Sequence, residues 1–269
     1  MKLVPLQQHI YFTNALQAAG INSFIHETGA ILIRKGPVLY AAGLDADAPL
    51  GAVRNTPKTA ICVANLDAVN HQFARAAGFR QVMTPATVAE LDLTQPMQMH
   101  AKWRHAVQKA QDGPLKTLHR SFDMAKDYWL LANDMAQQRA KKFRAMPHAI
   151  VQNWPAHETQ ISVALDRKTP VAAMLFLKHG PTVTYQIGWA NEAGRSLCAH
   201  HRLLREATAI FTANGHQRLD LGMIDTENAI DLARFKLRSG AAARKLGGTW
   251  IAPRRLFGMR RPKVRVMDL

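Results

Sequence analysis

Residues 203–250 read LLREATAIFTANGHQRLDLGMIDTENAIDLARFKLRSGAAARKLGGTW and carry much of the fold information in the chain. Apolar residues at helical spacing over 203–211 predict an amphipathic helix that ends at Asn214-Gly215. The segment Arg218-Leu-Asp-Leu-Gly222 predicts a strand. A second helix over 233–237 follows, and then a strand at the end of the stretch. This alternation of helices and strands predicts an α/β fold.

Composition limits the broad class of the protein. A chain of 269 residues can form one large domain or two small ones, and 48% hydrophobic with 20% charged residues is ordinary for a globular protein. No apolar run approaches the roughly 20 residues that a membrane span needs, and the polar start is unlike a secretory signal. The two cysteines, Cys62 and Cys198, suit a reducing compartment. We therefore expect a cytoplasmic protein without a transmembrane segment.

The net charge is unusual in both size and distribution. It is +16, from 35 basic and 19 acidic side chains. Residues 1–95 carry a net +1, and the remainder carries +15. A field of this size attracts phosphates and so indicates a nucleotide-bearing cofactor, tRNA or an anionic surface as partner. Solubility is the alternative explanation.

A break at Gln95-Pro96 divides the chain. We predict an N-terminal unit over 1–95, a catalytic unit over 96–252 and a basic tail over 253–269. The first unit starts with a helix over 7–19, and Asp67 is predicted to cap a later helix that ends at Gly78. Its expected strands cover 21–25, 30–33, 38–42, 59–64 and 79–83.

The second unit begins with a helix from Met99 to Gly113-Pro114 and a strand over 115–118. Asp123 is predicted to cap a long helix to Lys141. Ser196 is predicted to cap the helix that ends at Asn214. Between these two helices, a meander of three strands is expected over 160–165, 171–177 and 182–189.

Several motifs carry a family resemblance. They are the LDLG strand at 219–222, the FKxxxGA pattern at 235–241, the LGGTW segment at 246–250 and a basic helix with Lys102, Arg104, Lys109-Ala110 and Gly113. Over residues 96–251 the chain resembles the FemAB-like branch of the GNAT acyltransferase superfamily. The resemblance implies an α/β fold with a GNAT-like mixed sheet flanked by helices. It also implies two GNAT-like halves, of which the N-terminal half is degenerate.

The resemblance implies transfer of an acyl group from acyl-CoA, or of an aminoacyl group from tRNA, to an amine acceptor without a metal. A narrower alternative is aminoacyl-tRNA-dependent transfer to a peptide or a peptidoglycan precursor, which the charge of residues 96–269 favours. Against that alternative, the chain is short for a peptidoglycan bridge enzyme. A different class is a non-catalytic protein that binds RNA or an anionic surface on a GNAT-like shell.

The loop before the long helix is the first candidate site. In GNAT enzymes this loop binds the donor pyrophosphate with N–H groups at a helix N-terminus. Here it reads Gly194-Arg-Ser-Leu-Cys-Ala-His-His-Arg202 and lacks the glycine-rich signature of acetyl-CoA users. By resemblance, donor binding is assigned to Arg195, Ser196, His200, His201 and Arg202. An ordinary helix start is the alternative.

The strand over 182–189 and the Phe235-Lys236 pair supply further candidates. Tyr185 and Gln186 point to opposite faces of that strand, so one of them lines the donor cleft. Tyr185 is a candidate proton donor to the leaving group, with simple packing as the alternative. Lys236 matches a lysine that stabilises negative charge in FemAB-like transferases, and Phe235 lies beside it at the donor site. An exposed helical lysine is the alternative for Lys236.

Asp220 lies within a strand, where a charged residue needs a partner or a cleft. It is a candidate for orienting the acceptor amine or accepting its proton. Pairing with Arg218 or Arg234 is the alternative. Gly222 would let a ligand or a bulge come close to the backbone at the donor site.

The basic helix supplies Lys102 and Arg104 as substrate-binding candidates, with a solvated basic helix as the alternative. The 12 histidines are scattered along the chain. The adjacent pair His200-His201 diverges by about 100° on a helix, so no metal site is expected. Motifs of zinc proteases, P-loop proteins and serine hydrolases are absent from the sequence.

Overall fold

Two mixed sheets flanked by helices make up the structure. The computed structural model describes residues 3–45, 47–68, 70–143 and 145–254. Its strands are β1 (Ser23–Ile25), β2 (Ile31–Lys35), β3 (Val38–Leu44), β4 (Ile61–Leu66), β5 (Arg80–Met83), β6 (Thr87–Asp92), β7 (Leu115–Arg120), β8 (Thr159–Asp166), β9 (Thr169–His179), β10 (Thr182–Ala190), β11 (Arg218–Met223), β12 (Ala242–Lys245) and β13 (Gly248–Pro253). Its helices are α1 (Ile10–Ala18), α2 (Leu50–Arg54), α3 (His71–Ala76), α4 (Ala101–Asp112), α5 (Met124–Lys141), α6 (His148–Gln152), α7 (Glu192–Ser196), α8 (Ala199–Ala213) and α9 (Ile230–Arg238).

Both sheets contain the same succession of pairings. The first sheet has the order β1-β2-β3-β4-β13-β5, and the second has the order β7-β8-β9-β10-β11-β6-β12. Each has one parallel pair, β3 with β4 and β10 with β11, between antiparallel neighbours. The predicted GNAT-like mixed sheet and the organisation in two similar halves are therefore confirmed.

The two sheets exchange strands. β6 precedes Gln95-Pro96 in the chain but lies between β11 and β12 in the second sheet. β13 follows all the other strands in the chain but lies between β4 and β5 in the first sheet. These two strands occupy equivalent positions, so each sheet is completed by a segment from the other half. The sheets therefore do not follow the predicted division at residues 95 and 252.

Close contacts fix the place where the chain crosses between the sheets. The Leu246 N–H donates to the Ala86 carbonyl oxygen at 2.9 Å, which joins the two crossing segments. Arg244 on β12 contacts Glu90 on β6 at 2.8 Å and Asp67, just after β4, at 3.1 Å. The Arg244 guanidinium in the second sheet therefore binds the carboxylate of Asp67, the residue that follows β4 of the first sheet.

The halves differ in the helices that cover them. The second sheet packs one face against α4 and α8, where Leu203, Ala207 and Phe211 are fully buried at helical spacing. Its other face packs against α5 and α6. Between the parallel strands of the first sheet the described residues form the five-residue helix α2, where the second sheet has α7 and α8. This reduction agrees with the predicted degenerate N-terminal half.

Two predicted helix caps are wrong. The cap of α3 is Asn70, because Asp67 is engaged by Arg244 instead. Ser196 is the last residue of the separate helix α7, and α8 begins after Cys198, which has a positive φ of 55°. The turn between α7 and α8 therefore lies where a single helix start was expected.

The remaining comparisons with the sequence prediction concern α2, β6, the basic tail, the cysteines and membrane-spanning helices. Neither α2 nor β6 was expected. Most of the predicted basic tail, residues 255–269, lies outside the described residues. Within the described part of the chain, Cys62 and Cys198 are free thiols, and no helix combines the length and the apolar character that crossing a membrane requires.

Trp250→Ala is expected to lower the free energy of unfolding by about 3–5 kcal/mol, because loss of the ring leaves a cavity in the core that β13 completes. The Trp250 ring is fully buried among residues of the first sheet. Urea unfolding followed by circular dichroism measures the loss. The control is Phe73→Ala, which removes a 39% exposed ring from the same half and should cost less than about 1 kcal/mol. Equal losses in the two variants would contradict the placement of β13.

Candidate functional site

The parallel strands β10 and β11 separate after a short ladder. Their last residue pair is Thr184 with Asp220. Beyond it, β10 stays paired with β9 as far as Ala190, whereas β11 shifts register before Met223 and stays with β6. Tyr185 is the first residue of β10 beyond this ladder. We refer to the region between β10 and β11 beyond the ladder as the strand gap.

Lys236 reaches the strand gap from α9. Its side chain is only 5% exposed, and Nζ donates a hydrogen bond to the Met223 carbonyl oxygen at 2.8 Å. Gly222 has a φ of +76°, and a Cβ there would lie 3.7 Å from Nζ. Burial lowers the pKa of Lys236 to about 8, and the Asp220 carboxylate opposes this shift. The alternative of an exposed helical lysine is therefore wrong.

Asp220 shapes the backbone beside Lys236. Its Oδ1 accepts a hydrogen bond from the Gly222 N–H at 2.7 Å, which fixes the irregular turn of β11. Burial raises the pKa of Asp220, and the cross-strand carboxylate of Glu90 raises it further. Within the described residues neither predicted ion pair forms, since Arg218 contacts Glu90 and Arg234 lies on the exposed face of α9.

Tyr185 and Gln186 lie where β10 leaves β11. The Tyr185 ring packs 5.6 Å from the Phe176 ring, and its hydroxyl lies against Gly188, where a Cβ would overlap the oxygen. Burial raises the pKa of Tyr185, and the Asp134 carboxylate on α5 raises it further. Gln186 is half-buried at a register shift of β10. Tyr185 therefore packs on the sheet and also borders the strand gap.

Most side chains assigned to donor binding at the start of α8 have partners within the protein. Arg195, Ser196 and His200 donate to main-chain carbonyl oxygens at 2.6, 2.9 and 3.0 Å. Arg202 pairs with Glu206 on the same helix at 2.8 Å. These contacts tie the α7–α8 turn to its surroundings, and each of these side chains uses at least one polar group within the protein.

His201 is placed differently, because it faces away from the sheet. Its ring lies 5.2 Å from the Trp103 ring and 5.1 Å from the Phe235 ring. Burial lowers the pKa of His201 to about 4, so the imidazole is neutral at pH 7. The buried Nε1 of Trp103 has no hydrogen-bond partner among the described residues. The three rings form an apolar floor with one unused donor.

This floor belongs to a basic groove between α4, α8 and α9. A cleft of about 230 Å³ lies over the rings and is bordered by Lys102, Arg234 and Arg238, with Asp231 as its acidic residue. A second cleft of about 610 Å³ is formed by the segment before α4 together with α4 and α9, and is lined by Met97, Gln98, Met99, His100, Arg104 and Leu237. We refer to the two clefts together as the α4–α9 groove.

The structure places the predicted residues in three groups. Lys236, Asp220 and Gly222 meet at the strand gap, which Tyr185 and Gln186 border on the opposite strand. Phe235 is next to Lys236 in sequence and joins Lys102, Arg104 and His201 in the α4–α9 groove. The remaining candidates hold the α7–α8 turn.

Two groove residues were missed as binding candidates by the sequence prediction. Arg234 and Arg238 are four residues apart on α9, which puts them on one face of the helix. That spacing was the available signal. Among the described residues no group of three or more His, Cys, Asp or Glu side chains is arranged to hold a metal ion.

Solved structures share this fold. FemX superposes with a TM-score of 0.69 at 11% identity, over 92% of each chain. The C-terminal domain (DUF2156) of an Agrobacterium fabrum protein assigned as a lysylphosphatidylglycerol synthetase has a TM-score of 0.64 at 13% identity, over 93% of this chain and 89% of that chain. L-PGS from Bacillus licheniformis has a TM-score of 0.58 at 12% identity, over 95% and 94%.

These similarities confirm, at the level of the fold, the resemblance found over residues 96–251 and extend it to the N-terminal half. No protein-family profile matches the chain, and a search of the curated proteins finds no match. The protein therefore has the FemX-like fold of two joined GNAT-like halves.

The lowered pKa of Lys236 makes stability depend on pH in a defined direction. Lysine titrates near 10.5 in the unfolded chain and near 8 in the folded protein. Between these values the unfolded state binds more protons, so stability rises with pH, and below pH 8 the penalty is constant. Lys236→Met removes this penalty. Its stability relative to wild type should therefore be highest below pH 8 and fall by up to about 3 kcal/mol towards pH 10.5.

Urea denaturation of both proteins at pH 7 and pH 10 measures this difference. Lys102→Met, at an exposed position, is the matched control and should show the same difference from wild type at both pH values. A pH-independent difference for Lys236→Met would show that the Lys236 ammonium is not destabilised by burial.

Proposed function

We propose that the protein is an N-acyltransferase that moves an acyl or aminoacyl group from a phosphate-bearing carrier to an amine. The observation that carries this proposal is the buried Lys236 ammonium in the strand gap, next to the basic α4–α9 groove. Burying a cation is costly unless it has a partner. A role in stabilising charge during a reaction accounts for its position.

The proposed reaction is direct attack of the amine nitrogen on the carbonyl carbon of the donor. Negative charge develops on the carbonyl oxygen as the C–N bond forms. Lys236 uses one proton for the Met223 carbonyl oxygen and has further protons for this oxyanion. A fixed cation in a site that excludes water stabilises such charge strongly. Asp220 favours the charged form of Lys236, since its carboxylate raises the lysine pKa.

Of the two donors, aminoacyl-tRNA is favoured over acyl-CoA. The side chains at the start of α8 that would meet a CoA pyrophosphate are already hydrogen-bonded within the protein. The α4–α9 groove instead offers cations over an aromatic floor, which suits a nucleotide end with its phosphates and bases.

A non-catalytic protein that binds RNA or an anionic surface is the second candidate. In such a protein we expect a cleft filled by side chains, with Lys236 and Asp220 paired to neighbours. Here Lys236 contacts a carbonyl oxygen rather than a carboxylate. This observation favours the transferase.

A transfer assay tests the proposed function. Acetyl-CoA, palmitoyl-CoA and a mixture of aminoacyl-tRNAs serve as donors, and ethylamine, glycinamide and lysine serve as acceptors. We expect amide formation by the wild-type protein and a loss of about 10²–10³ in turnover for Lys236→Met, because the oxyanion loses its cation. Mass spectrometry detects the amide. Absence of transfer by the wild-type protein from every donor contradicts the proposal, and unchanged turnover in Lys236→Met removes the role of Lys236.

Binding of the carrier tests the groove separately. The double variant Arg234→Ala, Arg238→Ala should weaken binding of tRNA at least about tenfold and reduce its salt dependence, because two phosphate contacts are lost. Filter binding between low and physiological salt measures both effects. The control removes the same charge elsewhere, with Lys116→Ala and Lys168→Ala at exposed positions outside the groove. Equal weakening in the two double variants would indicate a general charge effect.

A further inference from the structure

A buried pair of ionisable residues lies beside the strand gap and has no part in the reaction described so far. Asp134 on α5 accepts a hydrogen bond from Nε2 of His148 at 2.7 Å. The exposed fractions of the two side chains are 8% and 14%. The same carboxylate oxygen of Asp134 accepts a hydrogen bond from Gln138 at 2.6 Å. The pair is therefore held in one geometry by contacts from two helices.

The helix α5 places this pair over the strand that borders the gap. Gln137 donates a hydrogen bond to the Gly188 carbonyl oxygen on β10 at 3.1 Å. The Tyr185 hydroxyl lies against the same Gly188, and the Asp134 carboxylate is close enough to raise the pKa of Tyr185. The Asp134–His148 pair thus lies near Tyr185 and Gly188 of β10, on the face of the second sheet that α5 and α6 cover, whereas Lys236 contacts the end of β11.

The hydrogen bond sets the tautomer of the imidazole. A carboxylate can only accept, so the proton of neutral His148 is on Nε2. Nδ1 then carries the free electron pair. A carboxylate that orients an imidazole in this way also stabilises the imidazolium that forms when the free nitrogen takes a proton.

We propose that His148, oriented by Asp134, is the general base that takes a proton from the acceptor amine. This inference rests on the proposed function. The amine reaches the site as an ammonium, and one proton passes to Nδ1 of His148 before or during attack. The C–N bond then forms, and the bond from the carbonyl carbon to the sulfur or oxygen of the carrier breaks. The protonated His148 returns its proton through solvent to the leaving sulfur or oxygen, and the second proton that the nitrogen loses on becoming an amide passes to solvent, so that protons and charge balance.

The test compares two nucleophiles in the full-length protein. A primary alkylamine is protonated at neutral pH and needs a base, whereas hydroxylamine is largely uncharged and does not. His148→Gln should therefore lose transfer to the primary amine by at least about 100-fold, while transfer to hydroxylamine stays within about threefold of wild type. Lys236→Met, in contrast, should lose transfer to both nucleophiles. The donor is the member of the panel that gives the most amide with wild type.

Two further variants separate a base from a structural contact. In His148→Gly, added imidazole should restore transfer to the primary amine in a concentration-dependent manner. Asp134→Asn keeps the shape of the side chain and should lose at least about tenfold with the primary amine and little with hydroxylamine. This variant decides the question if the His148 variants do not fold, which circular dichroism and thermal unfolding report.

Each outcome separates the two proposals. Retained transfer to the primary amine in a folded His148→Gln protein overturns the role of His148. An equal loss with both nucleophiles, without rescue by imidazole, shows a structural contact and also overturns it. A wild-type protein that transfers to no primary amine from any donor overturns the proposed function itself.

Discussion

The reciprocal exchange of β6 and β13 is the constraint on which the rest of the structure depends. In each sheet, the second strand of the parallel pair has an antiparallel neighbour that comes from the other half. β4 pairs with β13, and β11 pairs with β6. Arg244 links the two halves at the crossing through Glu90 and Asp67. Because Met223 pairs with Val88 on the exchanged β6, the strand that carries Gly222 is held by the N-terminal segment. The N-terminal half therefore supports the strand that carries Asp220 and Gly222.

The site combines two opposite electrostatic situations within a short distance. At the strand gap a lysine is kept in a largely apolar setting, where burial lowers its pKa and a nearby carboxylate limits the shift. In the α4–α9 groove four basic side chains, Lys102, Arg104, Arg234 and Arg238, accompany one acid, Asp231, at the surface, where water and salt screen them. The two environments are adjacent, because Phe235 lines the groove and the next residue of α9, Lys236, contacts the end of β11. A carrier held in the groove would thus present its reactive end to the buried cation.

Much of the fold was predictable because short stretches of sequence determine many of its helices and strands. Asp123 caps α5 as expected, and the three central strands of the second sheet follow from their apolar alternation. The exchange was not predictable, since the break at Gln95-Pro96 is a strong local signal whereas the pairing of β6 with β11 is a long-range one. Lys236 was identified as a candidate site residue through a motif. Asp134 and His148 were not, because they lie in different helices and neither belongs to a recognisable spacing.

The exchange of strands also sets an order of events during synthesis. β4 and β5 are made early, yet the strand that belongs between them, β13, spans Gly248–Pro253. Until translation has passed residue 253, the first sheet has two unpaired inner edges, and such edges invite pairing with other chains. Contacts of this sequence separation also form slowly. The first sheet is therefore begun early in synthesis and completed late, and its inner edges stay open to pairing with other chains until β13 has been made.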